Sequence, residues 1–259
     1  MSTRKKILVF LSVLVVLVLI FGYIFRYSLI LEFQYSRLQS LRCNDGQTNC
    51  MDRIWVHRVN STGRYDLLKD KFNGFETDLV YSDSARLFYV YHPPFTKNTD
   101  TLSLGRFLMN ADLEHKRFWF DTRFVAASNM STALNDLSSS DKAGKLKANC
   151  IFELYDLQTA GYFAQKGYTV SFNADEQLLH QMSASQQMQD SVVSQLSQVK
   201  YVSQESQHVP VLKKLFPGKH ILTWNSKFAN FFDTKPLKQL LGDEKVAIIL
   251  VNIKSRYYR

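Results

Sequence analysis

The chain has 259 residues, of which 46% are hydrophobic and 14% aromatic, and its formal net charge is +9. This length and apolar content suffice for one large domain with a full core, or for a barrel with an appendage, and they do not indicate low-complexity disorder. No stretch combines a basic stripe with stacking aromatic residues, so the positive charge does not predict nucleic-acid binding.

The first predicted element is an apolar helix. Residues 7–25, "ILVFLSVLVVLVLIFGYIF", carry no charge over about the 20 residues that a bilayer requires. Basic residues at positions 4–6 precede the run and only Arg26 closely follows it, which favours an N-terminus in the cytoplasm. The sequence therefore predicts a cytoplasmic tip and a signal-anchor transmembrane helix at residues 1–26. The rest of the chain is then periplasmic or extracellular. A cleaved signal peptide is the alternative, but the run is long for one and no small-x-small cleavage site follows.

A linker is predicted at residues 27–52. Cys43 and Cys50 bracket the turn-rich hexapeptide "NDGQTN", and in an oxidising compartment they would close a small loop by a disulfide bond. Cys150 begins an apolar run and is predicted as a buried thiol. The cysteine and histidine spacings do not indicate zinc.

From residue 53 to residue 259, short strand-like runs alternate with helical ones. Such alternation predicts a parallel sheet, and about eight units in roughly 210 residues predict an α/β fold, a (β/α)8 TIM barrel. The predicted strands are residues 53–57, 75–81, 117–124, 150–156, 168–173, 199–203, 220–225 and 246–253. An extra run at residues 86–92 breaks the alternation and is predicted as a hairpin return after the second strand.

Apolar residues at helical spacing predict the connecting helices. Helices are expected within residues 64–72 and 101–115, and within residues 227–243, where Pro236 would break or restart the helix. The Gln/Ser-rich residues 181–198 are predicted to form an outer barrel helix with a solvated face.

Ionisable residues gather at the ends of the predicted strands, while the strand interiors stay apolar. Glu76 and Asp78 share one face of the second strand because strand side chains alternate. TIM-barrel active sites lie at the carboxyl ends of the strands. Two carboxylates this close repel each other unless a hard cation such as Mg²⁺ or Ca²⁺ holds both ionised. Comparable strand ends carry His57, Arg58, His92, Asp121, Arg123, Glu153, Trp224 and Asn225.

Buried charges are costly unless they are paired or bound to a metal, so several of them at equivalent strand ends predict a site. The alternative is structural ion pairing, Glu76 with Arg58 and Asp121 with Arg123.

Four segments, "VHRVN", "FETDL", "VYHPP" and "FDTRF", together resemble the glycerophosphodiester phosphodiesterases of the phospholipase-C-like phosphodiesterase superfamily. The late "LTWN" is similar to a seventh-strand stretch of that family. The "HPP", "TDTLSLGRFL" and "FDTRF" stretches look closer still to its menorin-like branch. The resemblance implies a TIM barrel with one divalent cation, Mg²⁺ or Ca²⁺, at its mouth.

The resemblance also implies residue roles. Glu76, Asp78 and Asp121 would be metal ligands. His57 and His92 would be the general acid and base, and Arg58 and Arg123 would contact the phosphate. Glu153, Trp224 and Asn225, at later strand ends, are predicted to contact the substrate.

The chain departs from the family at several positions. Arg123 stands where the family usually has lysine, and Asn60 has no acidic neighbour of the kind those enzymes carry. Val59 stands where the family has a glycine that lets the backbone turn tightly. Pro93 follows His92 where the family has an acidic residue. Asp121 stands where the phosphodiesterases have the longer glutamate. These changes bear on the substrate more than on the metal site.

The sequence thus predicts a membrane-anchored, metal-dependent phosphoric diester hydrolase acting outside the cytoplasm. Its substrate would be a phosphodiester-containing small molecule, lipid or glycan of the cell envelope. One alternative is a non-catalytic barrel that binds a glycan, a lipid or a protein partner. Another is a two-carboxylate glycosidase using Glu76 and Glu153, which would leave the histidines unexplained.

Overall fold

A computed structural model of the chain describes residues 3–41, 50–93, 102–141, 144–225 and 233–255. The strands are β1 (Ile54–Val56), β2 (Gly74–Ser82), β3 (Leu87–Val90), β4 (Arg117–Arg123), β5 (Cys150–Leu154), β6 (Thr169–Asn173), β7 (Tyr201–Glu205), β8 (His220–Trp224) and β9 (Val246–Val251). The helices are α1 (Thr3–Gln39), α2 (Thr62–Leu68), α3 (Leu104–Leu108), α4 (Met130–Ser140), α5 (Lys145–Asn149), α6 (Leu157–Gln165), α7 (Glu176–Ala184), α8 (Gln186–Gln195), α9 (Val209–Leu215) and α10 (Lys235–Leu241).

Eight of the described strands form a closed parallel barrel. The order around the ring is β1-β9-β8-β7-β6-β5-β4-β2, and β1 pairs with β2 to close it. β3 runs antiparallel to β2, with Val90 opposite Leu79, and lies outside the ring. Helices connect the parallel strands, so the chain folds as a (β/α)8 TIM barrel. The predicted fold and its hairpin return are confirmed.

The register between neighbouring strands brings the acidic residues to one level of the barrel. β2 and β4 pair so that Asp78 is opposite Asp121. β4 and β5 pair so that Asp121 is opposite Glu153. Since paired residues of adjacent parallel strands point to the same side of the sheet, these three carboxylates all project into the barrel.

Two separate apolar clusters divide the interior. The larger one joins strand residues such as Phe75 and Phe152 to residues of the surrounding helices. The buried members of the smaller one all lie on strands and fill the inside of the barrel: Trp55, Trp119, Ile151, Leu222, Ile248 and Leu250. On β4, Trp119 is followed two residues later by Asp121, so the apolar filling gives way to a polar layer toward the carboxyl ends of the strands.

Gly74, the first residue of β2, admits the indole ring of Trp55 into this filling. A Cβ atom at Gly74 would lie 2.2 Å from three atoms of that ring. Only a residue without a side chain therefore fits here.

The apolar residues 7–25 form the first part of α1, which continues to Gln39. The second half of this helix packs on the barrel: Leu31 and Leu38 are buried, and Gln34 Oε1 accepts a hydrogen bond from the Lys254 backbone N–H at 3.0 Å. In the part of the chain that the structure describes, no helix has both the length and the apolar character that a membrane crossing requires.

This finding corrects the predicted signal-anchor helix, single membrane span and location of the barrel outside the cytoplasm. The prediction relied on local features, the uncharged length of residues 7–25 and the basic residues before it, whereas in the structure that run is continuous with a helix half that packs on the barrel.

Several connecting helices differ in length from the prediction. α3 covers only Leu104–Leu108 of the helix expected at residues 101–115. The helix expected at residues 181–198 is divided between α7 and α8 because Ser185 Oγ accepts a hydrogen bond from the Met188 N–H and caps a new helix. α10 has a proline in its first turn, as expected for Pro236. Cys43 lies outside the described residues, so the Cys43–Cys50 disulfide stays a prediction.

Candidate active site and metal centre

Three buried carboxylates form the centre of the barrel mouth. Glu76, Asp78 and Asp121 are 2%, 1% and 8% exposed. Each offers one oxygen, and these oxygens lie within 4.8 Å of one another. The register of β2 with β4, rather than sequence proximity, brings Asp121 to the other two.

Two of these carboxylates are fixed by the loop that follows β1. Glu76 Oε2 accepts the backbone N–H of Arg58 at 2.6 Å. Asp78 Oδ2 accepts a hydrogen bond from Asn60 Nδ2 at 2.6 Å, while Asn60 Oδ1 accepts the Asp78 backbone N–H at 2.9 Å. This reciprocal pair ties the side chain and the backbone of Asp78 to one asparagine.

Without a counter-ion, this crowding works against ionisation. Burial, and then the Asp121 charge, raises the pKa of Asp78 to about 7. Burial, and then Asp78 and Asp121, raises the pKa of Glu76 well above its usual range. A divalent cation would remove this strain by holding all three acids ionised.

The donor set fits a hard divalent cation. Oxygen ligands at about 2.0–2.6 Å from Mg²⁺ or Ca²⁺ are separated from one another by at most about 5 Å, which agrees with the spacing of the three carboxylates. The acids come from β2 and β4, two rigid neighbouring strands. Glu76, Asp78 and Asp121 are therefore suited to hold such an ion.

His57 follows β1 and is oriented by Asn252, which follows the neighbouring strand β9. Its Nδ1 lies 2.9 Å from Oδ1 of Asn252, which can only accept, so Nδ1 carries the proton. Its Nε2 is then a free acceptor 3.6 Å from Glu76 Oε2. Burial, and then the Arg58 charge, lowers the pKa of His57 to about 3, so the ring is neutral near neutral pH.

His92 follows β3 and faces the same carboxylates. Its Nε2 lies 3.9 Å from Asp78 Oδ1 and 3.2 Å from Arg58 Nη2. Burial, and then Arg58 and Arg123, lowers the pKa of His92. The hairpin return thus supplies the second imidazole that the sequence predicted for this mouth.

Arg58 and Arg123 line the cavity beside the three carboxylates, and each has a donor without a hydrogen bond in the described chain. Arg123 Nη2 donates to Asp121 Oδ2 at 2.6 Å. Within the described chain, the buried Nε atoms of Arg58 and Arg123 make no hydrogen bond. Buried donors of this kind need an acceptor, and a phosphate oxygen is one that both could share.

The backbone of Arg58 also makes the tight turn after β1. Its φ is 60°, in the left-handed region that is costly for a residue with a Cβ atom. The turn expected at Val59 therefore falls one residue earlier, and Val59 is fully buried. Strain of this kind persists where neighbouring contacts over-determine it, here the Arg58 N–H to Glu76 and the Val59 N–H to Glu76 O at 2.7 Å.

Of the three other residues predicted to contact the substrate, two line the cavity and one lies outside it. Glu153 and Trp224 line the cavity, but Asn225 does not, and its Nδ2 donates to Ser206 Oγ at 2.7 Å. The Glu153 carboxylate accepts hydrogen bonds from Trp119 Nε1 at 3.0 Å, from Asn173 Nδ2 at 2.9 Å and from Ser203 Oγ. Burial, and then Asp121, raises the pKa of Glu153 to about 8. The residues lining the cavity are His57, Arg58, Glu76, Asp78, His92, Trp119, Asp121, Arg123, Glu153, Tyr155, Trp224 and Leu250.

Three residues of the site were not among the predicted ones: Asn60, Tyr155 and Asn252. Asn60 holds Asp78, Tyr155 holds Asp121 and Asn252 holds His57. Tyr155 and Asn252 each directly follow a strand, so the same search for polar residues at strand ends could have found them. Asn60 lies in a loop and carries no such signal.

The likeness of the chain to known proteins is one of structure and not of sequence. No protein-family model matches it. No curated protein matches it either. A solved glycerophosphodiester phosphodiesterase from Thermotoga maritima superposes with a TM-score of 0.55 at 15% identity, over 77% of this chain and 93% of that one. The chain has the fold of the glycerophosphodiester phosphodiesterases.

Two further structures of this fold give the same result. A glycerophosphodiester phosphodiesterase from Parabacteroides distasonis is 12% identical, with a TM-score of 0.55 over 77% of this chain and 92% of that one. A phosphodiesterase from Oleispira antarctica, solved in complex with the product sn-glycerol-3-phosphate, is 10% identical, with a TM-score of 0.55 over 78% of this chain and 93% of that one. The closer resemblance to the menorin-like branch stays a prediction.

Proposed function

We propose that this protein is a metal-dependent phosphodiesterase that hydrolyses a phosphodiester of a small molecule, lipid or glycan. The observation that carries the proposal is the convergence, on one cavity, of three carboxylates able to hold a divalent cation, two neutral histidines and two arginines with unused donors. Structural ion pairing alone would leave the histidines and the free guanidinium N–H groups without a purpose.

The arginines bind the substrate in this proposal. Arg58 and Arg123 present guanidinium groups that match phosphate oxygens in geometry and charge. Their unused Nε donors would hydrogen-bond the non-bridging oxygens. A cation held by Glu76, Asp78 and Asp121 would supply a Lewis acid that offsets the negative charge developing on the phosphorus oxygens.

The histidines move the protons. His57 Nε2 is unprotonated and faces the cluster, so it is set to accept a proton from the water molecule that attacks phosphorus. His92, across the cluster, would donate a proton to the leaving oxygen once the negatively charged substrate raises its pKa. Substrate binding would also draw Arg58 from His92 Nε2 and free that nitrogen for its role.

The product seen in the Oleispira antarctica phosphodiesterase supports phosphodiesters as the substrate class. An enzyme of the same fold there retains a phosphate monoester after cleavage, which is the kind of group that Arg58 and Arg123 would hold. The alcohol released from this protein's substrate is left open by that likeness.

A phosphodiester panel assayed with and without a chelator tests the proposal. The panel includes glycerophosphodiesters, lysophospholipids and bis(p-nitrophenyl) phosphate. Cleavage of at least one substrate, lost with chelator and restored by Mg²⁺ or Ca²⁺, is expected. His57→Ala should slow it by roughly 10²–10⁴-fold, and His180→Ala, an exposed histidine on α7, is the matched control.

Calorimetry of the wild-type protein with each metal separates the alternatives. Metal binding without cleavage of any panel member would favour the non-catalytic barrel. If the wild-type protein binds neither ion, the carboxylates are structural and the proposal is wrong.

A further inference from the structure

Asp121 differs from the other two acids in having both carboxylate oxygens already hydrogen-bonded. Oδ1 accepts the Tyr155 hydroxyl at 2.6 Å, and Oδ2 accepts Arg123 Nη2 at 2.6 Å. A carboxylate has about four lone-pair positions, so each oxygen keeps one for a cation. Asp121 is thus held from two sides, by one neutral and one charged donor.

Substrate binding is expected to affect the two donors differently. Arg123 lines the cavity and its Nε has no hydrogen bond within the described chain, so a phosphate group competes for its guanidinium. Tyr155 carries no charge that a phosphate would attract.

The position of Tyr155 is fixed by the strand that it follows. It follows β5, the strand that pairs with β4, so the two residues extend from neighbouring strands with Asp121 opposite Glu153. The residue as a whole is 43% exposed, but its hydroxyl donates a hydrogen bond to the buried Asp121. The Arg123 guanidinium lies over the ring at 5.6 Å from its centroid.

Equivalent donors serve the other two acids. Glu76 is held by the Arg58 N–H at 2.6 Å and Asp78 by Asn60 Nδ2 at 2.6 Å. Neither of these donors needs to move when phosphate binds, because one is backbone and the other is neutral. Among the three acids of the described chain, Asp121 alone accepts a hydrogen bond from Arg123 and has a second donor, Tyr155. Arg123 Nε also lies 3.8 Å from Asp78 Oδ1, an ion pair too long for a hydrogen bond.

We propose that Tyr155 is the positioning residue of the metal centre: its hydroxyl keeps Asp121 in place for the cation while Arg123 turns to the phosphate. The proposal rests on the proposed metal-dependent function. It makes Tyr155 a residue that acts through Asp121 and not on the substrate, and it separates the role of Tyr155 from that of Arg123.

Titration calorimetry with Mg²⁺ or Ca²⁺ tests the proposal on the full chain. Tyr155→Phe keeps the ring and removes only the hydroxyl, and it should weaken metal binding by roughly 10–100-fold, the usual cost of losing a group that orients a metal ligand. Tyr162→Phe, on α6 and away from the cavity, should leave the affinity unchanged. Arg123→Gln should bind the metal as tightly as the wild type or more tightly, because a repelling positive charge is gone.

A second titration, in the presence of inorganic phosphate, checks that Tyr155 holds Asp121 while Arg123 binds the phosphate. Phosphate should widen the gap between Tyr155→Phe and the wild type, since Arg123 then leaves Asp121 with no donor. Thermal melting of the metal-free proteins should give similar transitions for wild type and Tyr155→Phe.

The two proposals fail in different ways. Equal metal affinity for Tyr155→Phe and wild type, or a loss of affinity in Arg123→Gln as large as that in Tyr155→Phe, would overturn the role of Tyr155 alone. A wild-type protein without metal affinity would remove the metal centre and the role of Tyr155 with it.

Discussion

His57 and Asn252 connect the first and last strands of the barrel: Nδ1 of the imidazole lies 2.9 Å from Oδ1 of the amide. Asn252 directly follows β9, which pairs with β1 so that Val56 is opposite Val251. The His57 backbone N–H also donates to Val251 O at 3.0 Å. A residue near the end of the chain therefore fixes the tautomer of the first strand's histidine.

Asn252→Asp should change the pH dependence of activity. A carboxylate in place of the amide favours the imidazolium form and raises the pKa of His57 from its low value of about 3. Because the proposed base must be neutral, the acidic limb of the kcat/KM profile should move to higher pH by about one unit or more. Asn110→Asp, at an exposed asparagine whose side chain donates to Arg106 O, should leave the profile unchanged. An unshifted acidic limb in Asn252→Asp would show that His57 is not the base.

His57→Ala should separate metal binding from turnover. The imidazole contacts none of the three carboxylates more closely than 3.6 Å, so the variant should bind Mg²⁺ or Ca²⁺ with nearly the wild-type affinity in calorimetry. Turnover should fall by roughly 10²–10⁴-fold, the usual contribution of a positioned proton-transfer group. A variant that loses metal binding and activity together would contradict this division.

The sequence carried enough information for the barrel and for most of its mouth. Alternation of strand-like and helical runs predicted the eight parallel strands, and Glu76, Asp78 and Asp121 were recognised because period-two alternation and strand ends are visible in one dimension. Their closeness was not visible, since it depends on the register of β2 with β4.

The residues that the sequence did not reveal act by contact between distant segments. Asn60 lies 18 residues from Asp78, and Asn252 lies 195 residues from His57. Neither pairing follows from composition or periodicity. The extent of helix α1 was missed for a related reason: apolar length is local, whereas the packing of Leu31 and Leu38 on the barrel is a tertiary property.

Gly74→Ala should destabilise the barrel. The added Cβ would lie 2.2 Å from the Trp55 ring, and overpacking of a filled core costs about 1–3 kcal/mol or more. Gly105→Ala is the matched control, because nothing lies within 4 Å of a Cβ there and alanine is the better helix former. Urea unfolding should show a lower midpoint for the first variant and an equal or higher one for the second. Equal midpoints for Gly74→Ala and wild type would mean that the barrel interior is not packed as described.

Asp78→Asn should weaken metal binding and yet stabilise the metal-free protein above neutral pH. The folded state holds the Asp78 proton up to a pKa of about 7, against an ordinary value of 3.8. The acid therefore contributes stability that is fully present below about pH 4 and is lost as the pH rises to about 7. The neutral amide does not titrate and escapes this loss. The difference in unfolding free energy, variant minus wild type, should be near zero at about pH 4 and reach roughly 2–4 kcal/mol at about pH 8.

Denaturant unfolding across this pH range, with a chelator present, measures the Asp78→Asn difference directly. The depressed pKa of His57 changes stability in the opposite sense between about pH 3 and 6.5, but it is common to both proteins and cancels in the difference. Saturating Mg²⁺ or Ca²⁺ should reverse the order, since only the wild-type site keeps all three anionic ligands and ligand binding stabilises the folded state. Parallel stability curves for the two proteins at every pH, with no reversal on adding metal, would mean that Asp78 is ionised and paired within the protein rather than waiting for a cation.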